Sequence, residues 1–388
     1  MKLKTILISI HLWVGVLSGL VVIILGLTGC VLTFVDEIRP LVYRDRMEVA
    51  STKETQLSLQ IMLQNARNIW GKNKPVSALE IQNSPNKTFH FRAYQEDSNE
   101  GIWYWNEKKY YESLFMDPYT GKLVFHEQSE FEFFRVILYL HWSLLFKTDL
   151  GQPVVGIATL LYLILLLTGI YLWWPKNKKA RRVRFLFRWK ADTGNKRKNY
   201  DLHSILGFYS LSVGIVIALT GLVFAFPWFS NGVQRLLNIR TQVETSPVIN
   251  TEQEIPIEKP LDNILADVKK KYPDATAYHF YFPRGGSSVV TILARYESIF
   301  KTTQAQYNVI SGRLIQASTY DGKDGREKLR DINYGIHTGS ILGLPSKILV
   351  FLISLVSASL PITGFLIWYN KKWGKRRKRN RKNPVGME

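Results

Sequence analysis

Four long apolar runs dominate the pattern of hydrophobic and polar positions along the chain. The first, Ile6–Val35, contains no charged residue, and neither do the later runs Pro153–Trp174, Leu202–Phe229 and Ile348–Tyr369. Each run reaches the length of about 20 residues that a helix needs to cross a hydrocarbon core about 30 Å thick. The pattern therefore predicts four transmembrane helices, and the length of the first run favours a retained helix over a cleaved signal peptide.

Positive charge is concentrated beside these runs. The net charge is +20, of which positions 1–5, 176–198 and 371–388 carry +2, +10 and +8. Short cytoplasmic segments hold the Lys and Arg excess of membrane proteins, so both termini and the middle loop are predicted to be cytoplasmic. Residues 36–130 and 231–330 then lie on the outer side. This distribution predicts a multi-pass protein in lipid with no nucleic-acid partner, although the basic tail leaves nucleic-acid binding open as an alternative.

Both outer segments combine a helix with short strands. A period near 3.6 predicts helices at Leu57–Trp70 and Leu261–Tyr272. Alternating apolar and polar positions predict strands at Thr88–Tyr94, Gly101–Tyr104, Ala277–Phe282 and Ser288–Ala294. Each segment also has a turn before its final strand, where Gly121 or Gly312 supplies a positive φ. We therefore expect two small α+β domains outside the membrane.

The chain also repeats itself. A His, a Gly four residues later and a following Leu-Thr-Gly triplet begin at His11 and again at His203. A further histidine, His141, precedes the second apolar run, and His337 precedes the fourth. We therefore predict two copies of helix, outer domain and helix, which are parallel repeats because both run in the same direction across the membrane. The glycines of the triplets are expected to let neighbouring helices approach closely.

These four histidines are the candidate functional residues. An ionisable side chain inside a membrane is costly unless it is paired, and it marks a functional site by default. The predicted topology places His11 and His203 near the cytoplasmic face and His141 and His337 near the outer face. Each level thus receives one imidazole from each half of the chain. A surface position is expected for the remaining histidines: His90, His126 and His279.

Two imidazoles at one level are the arrangement that axial ligation of a b-type haem requires. The single cysteine, Cys30, excludes a Cys₄ cluster and covalent CxxCH attachment. A structural zinc site would need four ligands at one level, and a proton relay would usually include an acidic residue within the helices. The sequence therefore predicts two non-covalent b-type haems, one between His11 and His203 and one between His141 and His337.

Two arginines occupy matched positions about two turns before the outer histidines. Arg135 precedes His141, and Arg330 precedes His337. A guanidinium group at this level suits a haem propionate, and anchoring at the membrane interface is an equally open alternative. Both arginines are therefore candidate cofactor-binding residues.

The sequence resembles the PepSY-associated transmembrane protein family. The motifs are the helix openings His11-Leu-Trp-Val-Gly15 and His203-Ser-Ile-Leu-Gly207, the Leu-Thr-Gly triplets, and the turns Thr-Gly-Lys-Leu and Ser-Gly-Arg-Leu. The resemblance covers nearly the whole chain apart from the basic tail. Better understood members are siderophore-iron reductases, which implies a bacterial inner (cytoplasmic) membrane protein with two periplasmic PepSY domains. It also implies two haems held at the positions of the four histidines.

The same resemblance implies a direction of electron flow. A cytoplasmic or quinol donor would reduce the inner haem, the outer haem would follow, and a periplasmic ferric siderophore or other ferric chelate would accept the electron. The main alternative is a non-redox, membrane-anchored PepSY sensor or inhibitor that binds a periplasmic protease or peptide. A transporter is less favoured because the helices carry no acidic residue. A longer gap from His141 to its Leu-Gly-x-Pro motif than from His337 to its counterpart predicts an asymmetric outer site.

The predicted fold class is thus an α-helical membrane protein, made of two parallel repeats that each carry an extracytoplasmic α+β PepSY-like domain. The predicted segments are a first transmembrane helix at 1–40, a first PepSY-like domain at 41–130, an outer His segment with the second helix at 131–175, a basic cytoplasmic loop at 176–199, a third helix at 200–230, a second PepSY-like domain at 231–330, an outer His segment with the fourth helix at 331–371, and a basic cytoplasmic tail at 372–388.

Overall fold

The computed structural model divides the chain into two compact units. The helical unit comprises Met1–Phe34, Ile137–Val233 and Asn333–Glu388, and the sheet unit comprises Val35–Val136 and Gln234–Ile332. The described residues are 3–50, 52, 55–96, 100–175, 184–239, 260–283, 287–298 and 300–382. Parts of the predicted basic segments, at 1–2, 176–183 and 383–388, lie outside them.

Groups of helices and strands follow one another in the same order in both halves of the chain. The helices are α1 Leu3–Thr33, α2 Val35–Val42, α3 Arg44–Met47, α4 Leu59–Trp70, α5 Phe133–Ser143, α6 Thr148–Trp173, α7 Asn195–Asp201, α8 Gly207–Ala225, α9 Pro227–Leu236, α10 Leu261–Lys271, α11 Gly325–Thr338 and α12 Leu344–Lys382. The strands are β1 Ala78–Gln82, β2 Phe89–Glu96, β3 Lys108–Met116, β4 Leu123–Gln128, β5 Ala277–Tyr281, β6 Val289–Arg295, β7 Thr302–Asn308 and β8 Leu314–Thr319.

Four helices in the described part of the helical unit are long and apolar enough to cross a membrane. They are α1, α6, the continuous helix Asn195–Ala225 that includes α7 and α8, and Leu344–Trp373 of α12. Small residues lie where these helices meet. A Cβ added to Gly26 of α1 would lie 2.8 Å from the Cβ of Ala358 on α12, so a larger residue would push the two helices apart.

One antiparallel sheet of eight strands forms the sheet unit, in the order β4-β3-β2-β1-β5-β6-β7-β8. The strands of the two outer segments join where β1 pairs with β5, from Ala78 opposite Tyr281 to Gln82 opposite Ala277. Alternate side chains on one face, including Leu79 of β1, are fully buried in a core that also contains residues of α4 and α10. The predicted α+β segments therefore share a single sheet and a single hydrophobic core.

Most of the predicted outer elements are present. The helices α4 and α10 begin and end within two residues of their predicted bounds, and the turn residues Gly121 and Gly312 have the predicted positive φ of 69° and 67°. The strand predicted at Gly101–Tyr104 is wrong. There the backbone amide of Trp103 donates to the Asn106 side chain at 3.3 Å, which starts a 3₁₀ turn at Tyr104 and delays β3 to Lys108.

Candidate functional site

The four candidate histidines form two ring pairs in the helical unit. The ring centroids of His11 and His203 are 6.3 Å apart with an interplanar angle of 90°. Those of His141 and His337 are 6.2 Å apart with an angle of 66°. The structure therefore brings together the residues that the topology argument pairs, one from each half of the chain in both cases.

Threonines hold the rings of the first pair, which we call the inner pair. The Nδ1 atom of His11 lies 2.9 Å from the hydroxyl oxygen of Thr168. The Nδ1 atom of His203 lies 3.0 Å from the hydroxyl of Thr363 and 3.2 Å from the carbonyl oxygen of Leu360. Both threonines belong to transmembrane helices, α6 and α12, so each ring is oriented by a helix that does not carry it.

The outer pair, His141 and His337, is held in the same way. The Nδ1 atom of His141 lies 2.8 Å from the hydroxyl of Thr28 on α1. The Nδ1 atom of His337 lies 3.0 Å from the hydroxyl of Thr220 on α8 and 3.2 Å from the carbonyl oxygen of Ile217. All four histidines thus use the same nitrogen for the same kind of contact.

These contacts determine where the imidazole proton lies. Each of the four threonine hydroxyls also lies at 2.6–3.0 Å from a backbone carbonyl one turn earlier in its own helix, to which it donates its only proton. The hydroxyl oxygen therefore accepts from Nδ1–H, and the carbonyls of Leu360 and Ile217 can only accept. The hydrogen-bond network thus assigns the proton to Nδ1 and leaves the lone pair of Nε2 available as a metal ligand.

A glycine follows each of these threonines and leaves room for the ring. A Cβ added to Gly364 would lie 3.2 Å from Cε1 of His203, and one added to Gly169 would lie 3.4 Å from Cε1 of His11. The corresponding distances at the outer pair are 3.5 Å from Gly29 to His141 and 3.4 Å from Gly221 to His337. Each Thr-Gly dipeptide therefore forms what we call a cradle, in which the threonine contacts Nδ1 of the histidine and the glycine leaves space for its ring. From the sequence, the triplet glycines were expected only to let neighbouring helices approach closely.

The backbone departs from regular α-helix at one histidine. Residues Leu202–Leu206, which include His203, form a π-helical turn between α7 and α8. Single π turns within α-helices are frequent at functional sites, and the wider turn moves the side chains of one helix face. No local sequence signal marks this turn.

The ring spacing matches that of two imidazoles on opposite sides of one metal ion. A transition metal binds an imidazole nitrogen at about 2 Å, and the ring centroid lies about 1.1 Å beyond that nitrogen. Two such rings would have centroids about 6.3 Å apart. Among the described residues no group of three or more His, Cys, Asp or Glu side chains is placed to hold a metal ion.

Aromatic side chains contact the outer pair. The ring of Phe224 lies 5.6 Å from that of His337, nearly perpendicular to it, and Trp142 lies 6.2 Å from Phe224. Trp13 on α1, by contrast, is 61% exposed. Phe224 therefore contributes aromatic surface directly beside His337, and Trp142 packs behind Phe224.

The two candidate arginines differ in their surroundings. The guanidinium of Arg135 lies over the ring of Tyr111, 4.2 Å from its centroid, whereas Arg330 is exposed on α11. Their common role as propionate partners stays a prediction.

The expected surface position of all three other histidines is wrong for two of them. His90 on β2 and His279 on β5 flank Glu80 of β1, with both Nδ1 atoms 3.7 Å from the same carboxylate oxygen. Burial lowers the pKa of His279 to about 4, although the charge of Glu80 opposes this shift. His126 is partly exposed and contacts Glu112 at 2.9 Å. The pairing of β1 with β5, which buries this row, involves residues far apart in the chain.

Comparison with known proteins supports the membrane architecture. No curated protein matches the chain significantly. The family model described as the PepSY-associated TM region matches residues 8–371, which is nearly the whole chain, and the protein therefore belongs to this family.

Proposed function

We propose that the protein carries electrons across the membrane through two b-type haems and reduces a ferric chelate, such as a ferric siderophore, on the outer side. In this proposal His11 and His203 hold the inner haem, and His141 and His337 hold the outer haem. The observation that supports the proposal is the pair of neighbouring imidazoles in each of the two His pairs, with a ring spacing of 6.2–6.3 Å.

The histidine pairs suit haem better than a bare metal ion. Haem contributes four porphyrin nitrogens and an iron that gains or loses one electron, so that two imidazoles complete its coordination. Two histidine ligands would complete the coordination of a haem iron, which would favour electron transfer over oxygen chemistry. The threonines keep each Nδ1 protonated and each ring oriented, and such outer contacts stabilise a ligand in its binding geometry.

The two pairs lie at different levels along the same helices. His11 of the inner pair and Thr28, which contacts the outer pair, both belong to α1 and are separated by about 25 Å at 1.5 Å per residue. His203 and Thr220 have the same separation in sequence on the continuous helix Asn195–Ala225. Two redox centres at these levels would divide the membrane into shorter electron-transfer steps.

The direction of transfer follows from the charge distribution. The basic segments support a cytoplasmic position for the His11 end of α1, in which the inner haem would meet the donor, a cytoplasmic reductase or a quinol. The outer haem would serve the acceptor. Hard oxygen ligands hold Fe(III) far better than Fe(II), so reduction of a ferric chelate releases its iron for uptake. Two parallel repeats, each with a periplasmic PepSY domain, account for the matched halves of the chain.

Haem stoichiometry tests the proposal directly. The full chain, expressed with a haem precursor and purified in detergent, is expected to contain two haems per chain and to show b-type bands in a reduced-minus-oxidised spectrum. His203→Ala and His337→Ala should each retain one haem. His126→Ala, in the sheet unit, is the matched control and should retain both. Absence of haem would reject the proposal and favour the non-redox sensor, whereas loss of both haems from one of the single variants would reject two separate sites.

Reduction across a membrane tests the acceptor. Liposomes that contain the protein and an entrapped reductant are expected to reduce an external ferric hydroxamate, measured with a colorimetric Fe(II) chelator. The His337→Ala variant should lose this activity while its inner haem is still reduced. If wild-type protein with both haems reduced leaves the chelate unchanged, the acceptor assignment is wrong and the electron conduit alone is retained.

A further inference from the structure

The sheet unit contains a small polar cavity that the proposed electron path does not use. Its volume is about 210 Å³, and it lies between α2, α3 and the sheet face opposite the hydrophobic core. The charged side chains that line it are Asp36, Arg39, Glu80 and Arg295, together with the imidazole of His90. A cavity of this kind, with few and specifically placed polar groups, is the usual form of a small-molecule site.

Glu80 and His90, which line the cavity, belong to a row of three side chains across adjacent strands. Glu80 lies directly opposite His90 on one side and His279 on the other. The guanidinium of Arg92 lies 3.4 Å from the same Glu80 oxygen that both imidazoles approach. The carboxylate is thus surrounded by potential donors, and it favours the tautomer of His90 that carries the proton on Nδ1, whereas Nδ1 of His279 also lies 3.4 Å from the guanidinium of Arg92.

His90 therefore presents an unused hydrogen-bond acceptor. Its Nε2 atom is buried and has no hydrogen-bond partner among the described residues, and its ring stacks on Phe115 with centroids 4.4 Å apart. Burial lowers the pKa of His90, with Glu80 opposing the shift and Arg92 and Arg39 adding to it. The ring is accordingly neutral near pH 7, and a buried acceptor without a donor is costly to the protein unless a ligand supplies one.

Two guanidinium groups at the cavity have no acidic partner. Within the described part of the chain, no carboxylate lies within 4.0 Å of Arg39 or Arg295 to form an ion pair. By contrast, Glu80 is already compensated by Arg92, and Asp36 is exposed at the rim. Guanidinium groups bind carboxylates through paired, charge-assisted hydrogen bonds, so the cavity offers two anion-binding groups beside one neutral acceptor.

We propose that this cavity binds a small hydroxycarboxylate, whose carboxylates accept hydrogen bonds from Arg39 and Arg295 and whose hydroxyl donates to Nε2 of His90. The volume matches about seven water molecules at about 30 Å³ each, which admits a compact acid but not a drug-sized ligand. The site involves only residues of the sheet unit, so it does not depend on haem.

Binding of matched acids to the purified full chain tests the proposal. We expect malate to bind about tenfold more tightly than succinate, and citrate about tenfold more tightly than tricarballylate, since each second acid lacks only the hydroxyl. Titration calorimetry in a carboxylate-free buffer measures these affinities. Equal affinities within each pair, or no binding of any of the four acids at millimolar concentration, would overturn the proposal.

Variants separate the two parts of the site. Arg295→Gln should weaken malate and succinate by a similar factor of about ten, because it removes a carboxylate partner. His90→Leu should weaken malate to the level of succinate and leave succinate unchanged. Arg313→Gln, at an exposed turn of the same unit, is the control and should bind like wild type. If His90→Leu does not fold, the preference of wild type for malate over succinate and the affinities of Arg295→Gln decide the question. An Arg295→Gln variant that binds both acids as tightly as wild type rejects the site. Inorganic phosphate that binds equally to wild type and to Arg295→Gln would indicate general anion attraction instead.

Discussion

The threonine contacts of the inner histidines allow a comparison of two substitutions at one site. Thr168→Val removes the only described hydrogen-bond partner of Nδ1 in His11, at 2.9 Å. Thr363→Val removes the hydroxyl beside His203 but leaves the Leu360 carbonyl at 3.2 Å. Valine has nearly the shape of threonine, so the change is confined to the hydrogen bond.

The expected cost follows from whether the Nδ1 proton keeps a partner. An unpaired buried donor costs about 1–3 kcal/mol, and loss of an outer-shell contact weakens metal binding by about 10–100-fold. For Thr168→Val we therefore expect at least tenfold weaker inner haem binding. For Thr363→Val we expect less than about threefold, since His203 keeps a second acceptor. Thr159→Val is the matched control, because Thr159 lies on the same helix and bonds only to a backbone carbonyl of that helix, at 2.8 Å.

Haem transfer to excess apomyoglobin measures these differences, and absorbance separates the fast and slow phases. In Thr168→Val one haem should leave faster while the other leaves at the wild-type rate. The reasoning is refuted if Thr168→Val keeps wild-type haem retention, or if Thr363→Val is as damaging as Thr168→Val. An effect of Thr159→Val of similar size would show that the loss of any hydroxyl disturbs this helix.

Further substitutions test the cradles, a turn and a buried imidazole. Gly364→Ala, whose Cβ would lie 3.2 Å from the inner imidazole, should lower inner haem occupancy, whereas Gly232→Ala meets nothing within 4 Å and should not; equal occupancies would contradict the cradle role. Gly339 has a φ of 77°, and a Cβ added there would lie 2.7 Å from a backbone carbonyl, whereas Gly343 has a φ of 69° with open space around it. Gly339→Ala should therefore lower the melting temperature more than Gly343→Ala. The reverse order in thermal unfolding would be inconsistent with this. The free energy of unfolding should fall by about 3 kcal/mol as pH drops from about 6.5 to about 4. The reason is that the folded pKa of His279 is lowered to about 4, so the unfolded chain takes up the proton first. His279→Gln should flatten this slope in thermal unfolding at a series of pH values, and an unchanged slope would contradict the assignment.

Local patterns were sufficient for the long helices, for most of the predicted strands and for the pairing of the histidines. The uncharged run that begins at Ile6 contains most of α1, and period-3.6 spacing located α4 and α10 to within two residues. Pairing of His11 with His203 needed only two further facts, the direction in which each helix crosses the membrane and the positive-inside rule.

Long-range contacts could not be read from the same patterns. The contact between Thr168 and His11 was not predicted because nothing near Thr168 in sequence points to a residue 157 positions away. The burial of His279 depends on its register against Glu80 of the first outer segment, and register between distant strands is set by global packing. The strand predicted at Gly101–Tyr104 was wrong for a local reason. There a hydrogen bond to a single Asn side chain favours a turn although the sequence pattern alternates.

Pairing between β1 and β5 has a consequence for biosynthesis. β2 pairs with one edge of β1, but the other edge stays unpaired until Tyr281, about 200 positions after Ala78, has been made. Until the ribosome has made the second half, β1 presents an unprotected edge, and unprotected edges recruit other strands. Contacts of such sequence separation also form slowly. The nascent chain therefore passes through a stage in which its first half is inserted but incomplete, and protection by a chaperone during that interval would raise the yield of folded protein.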